Sequence, residues 1–235
     1  MKIATILIIT FSLMLLSSCM APNVQKKLEE MTARQDSMLT ILKAVEAQSA
    51  FVAKKVGWTP PDDTLPINIP LGNSYYQGAK KPVLTIVEFS DFECTYCAKA
   101  APVLDSLVKV YPEKIRVVFK HFPLSFHKKA MAAHAAAIAA GQQGRFFDYR
   151  YKLAPLFRQL NDSTFIALAE QIGLDMEVFK KDMLLTPETK GKIEDDMQLG
   201  RKIGVRGTPS LYANGKKVMD RSFDGFVRLL KKYGG

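Results

Sequence analysis

Two cysteines three positions apart, Cys94 and Cys97, have the spacing in this chain that best suits chemistry. They follow an apolar, β-branched run at residues 83–89 that predicts a buried strand, and they precede a predicted helix at residues 98–110. The thiolate form of cysteine attacks disulfides, and the positive end of a helix dipole stabilises a thiolate. We therefore expect Cys94 to be the exposed, activated nucleophile and Cys97, one turn into the helix, to be shielded and to resolve a mixed disulfide.

The same pair would also suit a structural disulfide or one half of a zinc site. A closed zinc site needs four ligands at short spacings. The other candidates are Cys19 and the histidines at positions 121, 127 and 134, and none of them forms a second closely spaced pair. The context therefore favours redox chemistry with no metal and no cofactor beyond the cysteine disulfide. Binding of copper(I) or zinc by the two thiolates is the alternative.

The first 18 residues predict an export signal. Lys2 precedes an apolar run over residues 3–16, which is shorter than the about 20 residues that span a membrane. Residues 16–19, Leu-Ser-Ser-Cys, resemble a bacterial lipoprotein signal in which Cys19 carries the lipid; a plain secretory signal is the alternative. We expect a periplasm-facing envelope lipoprotein, held at the outer membrane if the cell is Gram-negative, because Met20 is not the aspartate that retains lipoproteins at the inner membrane.

The charge distribution argues against a nucleic-acid partner. The formal net charge is +10, but the basic residues are scattered, and no basic stripe is interleaved with aromatic residues. Once Cys19 is lipidated, the only free thiols are the two of the C-x-x-C motif. An exported protein of this kind must be held together by an ordinary hydrophobic core, so its dithiol can cycle without rearranging structural disulfides.

Residues 19–57 predict a helical stalk. No glycine or proline occurs between residues 24 and 56, and ten positions keep a seven-residue period. These positions are Val24, Leu28, Met31, Gln35, Met38, Leu42, Val45, Ser49, Val52 and Val56. The pattern favours a coiled coil, and Leu39 and Ile41 widen its apolar face, which favours three strands over two. An amphipathic helix lying on the catalytic domain or on the membrane is the alternative. A stiff, proline-containing linker at residues 58–66 follows.

The remaining sequence alternates between strand and helix patterns. Residues 66–76 predict a short strand and turn, and residues 115–120 a further strand. Residues 125–202 predict four or five consecutive helices. Strands are then expected at residues 210–213 and 216–219, joined by Asn214-Gly215, a strong hairpin signal. A last helix is expected from Phe223 to about residue 232.

This order of elements resembles the thioredoxin fold with an inserted helical domain, an α/β fold. It is similar to the DsbA-like thiol–disulfide oxidoreductases of bacterial envelopes over residues 62–235. The resemblance implies a thioredoxin-like domain formed by residues 67–123 and 205–235, with a helical insertion at residues 124–204. It also implies redox exchange with exported client proteins that carry thiols or disulfides, and a membrane redox partner that resets the dithiol.

The resemblance assigns roles to individual residues. Cys94 matches the nucleophilic cysteine and Cys97 the resolving one. Glu88 matches the buried acid of the fold, which can relay a proton to or from Cys97. Thr208 and Pro209 match the loop in which the proline follows a cis peptide bond and the preceding backbone pairs with an extended client.

The chain also departs from the strongly oxidising members. Thr95 and Tyr96 stand between the cysteines, without the histidine that further stabilises the thiolate, which implies a less oxidising couple. Thr208 is similar to the corresponding residue of DsbC-type isomerases. The N-terminal helix resembles that of the trimeric suppressor-of-copper-sensitivity C proteins. We therefore expect a lipid-anchored homo-oligomer, a trimer before a dimer, that is an isomerase or reductase rather than a strong oxidase.

Overall fold

The computed structural model of the protein describes residues 22–55 and 66–234. The chain divides into two units, one ending at Pro61 and the other starting at Asp62. The predicted signal peptide, Cys19 and most of the predicted linker lie outside the described residues. Within the described ranges, no helix is long and apolar enough to cross a membrane.

The first unit contains one long helix, α1, which spans Pro22–Lys55. Its 34 residues correspond to a length of about 50 Å at 1.5 Å per residue. Among the side chains described in α1, seven large apolar ones are between 46% and 64% exposed: Val24, Leu28, Met31, Met38, Leu39, Ile41 and Val45. The predicted helix is present, and the described side chains of its apolar stripe are accessible in the single chain. The coiled coil itself stays a prediction.

The second unit is built on a mixed sheet, to which the described part of the chain contributes five strands. The strands are β1 (Tyr76–Gly78), β2 (Leu84–Ser90), β3 (Ile115–His121), β4 (Ser210–Ala213) and β5 (Lys216–Lys217). Their order is β1-β3-β2-β4-β5, with β2 and β3 parallel and the other neighbours antiparallel. Parallel neighbours need a crossover connection, and helix α2 (Thr95–Val110) provides it.

The helical insertion lies between β3 and β4. Its helices are α3 (Ala130–Gln142), α4 (Phe146–Leu153), α5 (Asp162–Gln171), α6 (Met176–Asp182) and α7 (Pro187–Lys202). Asn161, Asp175 and Thr186 cap the last three of these helices by accepting hydrogen bonds from backbone N–H groups. Helix α8 (Phe223–Gly234) ends the described chain. The inserted helical block and the α/β sheet confirm the predicted fold class.

The alternation of side chains along β2 determines which of its residues face α2. Leu84 and Ile86 belong to the core that α2 covers, whereas Phe89 belongs to the core on the opposite face. Because successive side chains of a strand point to opposite faces, Glu88 and Ser90 lie on the same face as Leu84 and Ile86. The α2 side of β2 is therefore apolar at Leu84 and Ile86 and polar at Glu88 and Ser90, the end of the strand nearest in sequence to Cys94.

Of the short strand and turn predicted at residues 66–76, the turn is present, but only Tyr76 lies in a strand. Pro66 and Pro70 have no amide hydrogens to donate to a sheet. The backbone then turns, with the Ser74 amide donating to the Leu71 carbonyl oxygen at 3.2 Å. Strand β1 begins only at Tyr76 and ends at Gly78.

The predicted hairpin is present, but its second strand is shorter than expected. It covers Lys216–Lys217 rather than residues 216–219. Asn214 and Gly215 have φ angles of 46° and 81°, the left-handed pair that a two-residue hairpin turn requires.

Candidate active site

Cys94 is the N-cap residue of α2, in extended backbone conformation, and it precedes the first helical residue, Thr95. A hydrogen bond from the Cys97 thiol lowers the pKa of the Cys94 thiol to about 5; burial opposes this shift, and Thr208 and the backbone of Cys97 and Tyr96 add to it. The sulfur of Cys94 therefore lies at the N-terminus of α2, within reach of several hydrogen-bond donors. Cys94 is poised to act as a thiolate near neutral pH.

Cys97 differs from Cys94 in its surroundings rather than in its exposure. The two residues are 5% and 6% exposed, so the expectation of an exposed Cys94 beside a shielded Cys97 is wrong. The Thr208 loop covers Cys94, whose Sγ atom lies 3.4 Å from the Thr208 carbonyl oxygen, which accepts a hydrogen bond from this sulfur only in the protonated thiol form. Burial raises the pKa of the Cys97 thiol well above its ordinary value, and the hydrogen bond to Cys94 and the charge of Glu88 add to this effect.

This asymmetry predicts selective alkylation of the reduced protein by iodoacetamide at about pH 6. A thiol with a pKa of about 5 is mostly thiolate at that pH, whereas an ordinary cysteine is below about 1% thiolate. Peptide mass spectrometry should find label on Cys94 and almost none on Cys97. The same reaction in denaturant, where neither pKa is shifted, is the control. Labelling of Cys97 first would contradict the assignment of the two sulfurs.

The loop that faces the dithiol enters the sheet directly. The Thr208–Pro209 peptide bond is cis, as the resemblance implied. Strand β4 begins at the next residue and pairs with the C-terminal half of β2, which brings the Thr208 carbonyl against Cys94. Of the residues between the cysteines, Thr95 is half-buried and Tyr96 is 68% exposed. The residues predicted to contact a client therefore surround Cys94.

The buried acid has two partners that the sequence analysis did not identify. Glu88 is fully buried; its Oε1 atom accepts a hydrogen bond from Ser90 Oγ at 2.9 Å, and its Oε2 atom accepts one from Arg150 Nη2 at 2.5 Å. Arg150 comes from α4 of the insertion, is 2% exposed, and lies over the Phe119 ring at 5.4 Å. Glu88 thus belongs to a buried ion pair that joins the insertion to the sheet.

The loop between β2 and α2 is braced by Asp91. Its buried carboxylate accepts hydrogen bonds from the Leu124 and Glu93 amides, both at 2.7 Å, and pairs with His127 Nδ1 at 2.8 Å. The Asp91 amide in turn donates to Cys97 Sγ at 3.4 Å. These contacts fix Cys97 relative to the strand.

The other two histidines lie together in the core. His121 and His134 are buried, with their Nδ1 atoms 2.7 Å apart. Burial lowers the pKa of His121 well below its ordinary value and that of His134 to about 3, so both rings are neutral at physiological pH. His134 is a packing residue. Within the described ranges, no group of three or more His, Cys, Asp or Glu residues is arranged to hold a metal ion.

Comparisons with known proteins agree with this geometry. Residues 71–232 match the family model described as thioredoxin. A thioredoxin-like oxidoreductase from Silicibacter pomeroyi is 30% identical, with a TM-score of 0.59 over 68% of this chain and 94% of that one. ScsC from Proteus mirabilis is 20% identical, with a TM-score of 0.60 over 91% of this chain and 98% of that one.

A curated relative is a much longer protein. The Na⁺/H⁺ antiporter NhaA 3 from Salinispora tropica is 32% identical over 144 residues, which make up 61% of this chain. The chain spans only 22% of the length of that antiporter. The similarity is therefore confined to part of each protein.

Proposed function

Since the chain belongs to the thioredoxin family and is a thiol–disulfide oxidoreductase, we propose that it isomerises or reduces disulfides in exported proteins. The observation that carries this proposal is the asymmetric placement of the C-x-x-C pair: Cys94 is the N-cap of α2, 3.4 Å from the Thr208 carbonyl oxygen, whereas Cys97 lies within α2 and accepts a hydrogen bond from the Asp91 amide. This placement shifts the pKa values of the two thiols in opposite directions. One sulfur is ready to attack near neutral pH, and the other keeps its proton until it is needed. This combination suits two successive attacks by two different sulfurs.

The reaction starts when the Cys94 thiolate attacks a client disulfide. A bond forms between Cys94 and one client sulfur, and the second client sulfur leaves as a thiolate. In reduction, Cys97 loses its proton and attacks Cys94, which releases the client and leaves the Cys94–Cys97 disulfide; two electrons have passed to the client. In isomerisation, a client thiolate attacks the mixed disulfide instead, and no net electron transfer occurs. A membrane redox partner returns the dithiol to its reduced form.

The direction of exchange follows from how strongly the thiolate is stabilised. The Cys94 pKa of about 5 lies between about 7 for thioredoxin and about 3.5 for the strong oxidant DsbA. Stabilising the thiolate stabilises the reduced form and makes the couple more oxidising. The dipeptide Thr95-Tyr96 lacks the histidine that further stabilises the thiolate in the strong oxidants, which supports a less oxidising couple and suits isomerisation or reduction better than strong oxidation.

A client would approach along the Thr208 loop. An extended segment can pair its backbone with that of Thr208, as in strand addition, while its disulfide contacts Cys94. Thr95 is half-buried and Tyr96 is exposed on the same rim, where they can contact client side chains. The proposed specificity is thus mainly for extended backbone.

The proposal includes a lipid anchor at Cys19, supported by the Leu-Ser-Ser-Cys sequence at residues 16–19. More than one acyl chain gives stable membrane attachment. Cells fed radiolabelled palmitate should label the wild-type protein and the Cys94→Ser variant but not a Cys19→Ala variant. Label that persists in Cys19→Ala would contradict the anchor.

The proposal also includes a parallel oligomer, preferably a trimer, formed by α1. The exposed apolar stripe of that helix supports it, because tethering every chain at one end aligns the stripes. Several dithiols around one client raise the effective thiol concentration. The soluble form of residues 20–235 should therefore speed the recovery of ribonuclease activity from the scrambled enzyme.

Removing the stalk should separate exchange from isomerisation. A chain of residues 58–235, which contains the whole second unit, is expected to be monomeric by light scattering. It should keep insulin reduction within about twofold but lose most ribonuclease isomerisation, because only one dithiol remains near the client. In the longer chain, Met38→Glu on the stripe should dissociate the oligomer, and Ser37→Glu beside it should not. If light scattering gave the same number of subunits per particle for the long and the short chain, the coiled coil would be contradicted.

A further inference from the structure

A surface cavity of about 360 Å³ is lined by both sequence neighbours of Cys94, Glu93 and Thr95. The rest of its lining comes from the loop before α3 and from the segment between α4 and α5: His127, Lys129, Phe157, Arg158 and Leu160. The volume lies within the range of about 300–1,000 Å³ that is usual for ligand pockets. The cavity is therefore large enough to receive a client side chain next to the reacting cysteine.

The lining of this cavity carries an excess of positive charge. Lys129 and Arg158 are exposed, and neither forms an ion pair with a residue that the structure describes. Glu93 is the acid of the lining, and its Oε2 atom already accepts a hydrogen bond from the Lys129 amide at 2.7 Å. His127 adds no net excess, because it pairs with the carboxylate of Asp91 at 2.8 Å. Two cations are thus set against one carboxylate.

The same imbalance extends around Cys94. Its surroundings are formed by four segments, residues 92–99, 124–129, 157–160 and 206–209. These segments contain five basic residues and one acidic residue, Glu93. The basic residues are all exposed, and none forms an ion pair within the described part of the chain: Lys99, Lys128, Lys129, Arg158 and Arg206. The fold thus gathers around the dithiol basic residues that are scattered along the sequence.

Uncompensated charge beside a reactive group attracts partners of opposite charge and repels those of like charge. The guanidinium of Arg158 can bind a carboxylate through two parallel hydrogen bonds, and the ammonium of Lys129 can add a third. Adjacent residues of a client are about 3.8 Å apart between Cα atoms, which is also the spacing of Glu93 and Thr95 from Cys94. A side chain that flanks the client cysteine therefore has the reach that this cavity requires.

We propose that this cavity is a client subsite for an acidic side chain, and that the enzyme acts preferentially on disulfides whose cysteines are flanked by glutamate or aspartate. Lys129 and Arg158 are the specificity-determining residues. This inference rests on the proposed thiol–disulfide exchange and names the class of client. The bonds that form and break are those between the Cys94 thiolate and the client disulfide described above, and the subsite binds the client while they do.

Disulfide-linked dimers of a blocked peptide, acetyl-Gly-X-Cys-X-Gly-amide, test this specificity with glutamate, glutamine or lysine at X. The reduced soluble form of residues 20–235 is mixed with each dimer at about pH 7.5 and quenched with acid, and the released peptide thiol is measured by chromatography. At about 0.01 M ionic strength, where the screening length is about 30 Å, we expect the glutamate peptide to react at least about tenfold faster than the glutamine peptide. The lysine peptide should react more slowly than either. At about 1 M, where the screening length is about 3 Å, the glutamate preference should fall to about threefold.

Charge-neutralising variants locate the preference. Lys129→Gln combined with Arg158→Gln should remove most of it, while the rate with the glutamine peptide stays within about twofold of the wild type. The matched control is Lys180→Gln combined with Lys181→Gln, which removes the same charge from exposed positions on α6, outside the four segments. This control should keep the preference. Lys129→Glu combined with Arg158→Glu should instead favour the lysine peptide.

Equal rates for the glutamate and glutamine peptides with the wild type would overturn the subsite, and so would a preference that survives in the Lys129→Gln, Arg158→Gln variant. An equal loss of preference in the Lys180→Gln, Lys181→Gln control would assign the effect to net charge and would overturn the subsite as well. In each of these cases, reduction of the glutamine peptide would still support the proposed exchange. If the wild type reduced no peptide faster than a Cys94→Ser variant does, the proposed function itself would fail, and the subsite with it.

Discussion

Cys94→Ser is expected to lower catalysed insulin reduction to the rate of dithiothreitol alone. At about pH 7, a thiol with a pKa of about 5 is almost entirely ionised, compared with about 3% of an ordinary cysteine. A serine hydroxyl is not ionised at that pH and cannot form a mixed disulfide. Cys97 is the other thiol of the second unit, and burial raises its pKa well above the ordinary value, so it cannot replace this nucleophile. We therefore expect complete loss of catalysis, measured as the onset of insulin B-chain turbidity.

Cys97→Ser should give a different defect from the same site. The nucleophile remains, but the resolving sulfur is gone, so the client is held on Cys94 and accumulates as a covalent adduct on a non-reducing gel. The adduct should disappear on reduction and should be absent from Cys94→Ser. If Cys94→Ser formed the adduct and Cys97→Ser did not, the roles of the two cysteines would have to be exchanged.

Arg150→Met is expected to lower the free energy of unfolding by about 3–5 kcal/mol, the usual effect of removing one partner of a buried ion pair. Glu88 is fully buried and Arg150 nearly so, so the variant strands a charge in the core. Arg145→Met in the same region is the matched control, because Arg145 pairs with Asp148 at side-chain exposures of 46% and 55%. A surface pair of that kind contributes at most about 1 kcal/mol.

Urea unfolding of residues 58–235 at neutral pH measures both variants. The double change Glu88→Gln with Arg150→Met should recover much of the lost free energy of unfolding. Glutamine has nearly the same size as glutamate but no charge, so no unpaired charge remains in the core. A loss below about 1 kcal/mol for Arg150→Met, or equal losses at positions 145 and 150, would show that the buried pair adds no stability of its own.

The sequence predicted the parts of the site that depend on neighbouring residues. A β-branched run followed by C-x-x-C predicts a strand that ends at a helix N-terminus, and the structure places Cys94 at that N-cap. Ser90 was within reach of the same reasoning, because the two-residue period of a strand puts it on the same face as Glu88.

Other parts of the site depend on contacts between distant segments and could not be predicted. Arg150 is 62 residues from Glu88, and nothing in its own helix requires an acid partner. Cys94 was expected to be exposed because the loop that covers it lies 114 residues away. The short strand expected before the turn within residues 66–76 is absent for a local reason, since Pro66 and Pro70 have no amide hydrogens to donate to a sheet.

The buried pair between Glu88 and Arg150 also bears on how this architecture can be shortened or recombined. Excising residues 124–204 to obtain a minimal redox module would remove the only partner that the described structure gives to Glu88 Oε2. Grafting in an insertion without a cation at the position of Arg150 would have the same effect. A compatible module would need a neutral residue at position 88, so the strand and the insertion are constrained to change together.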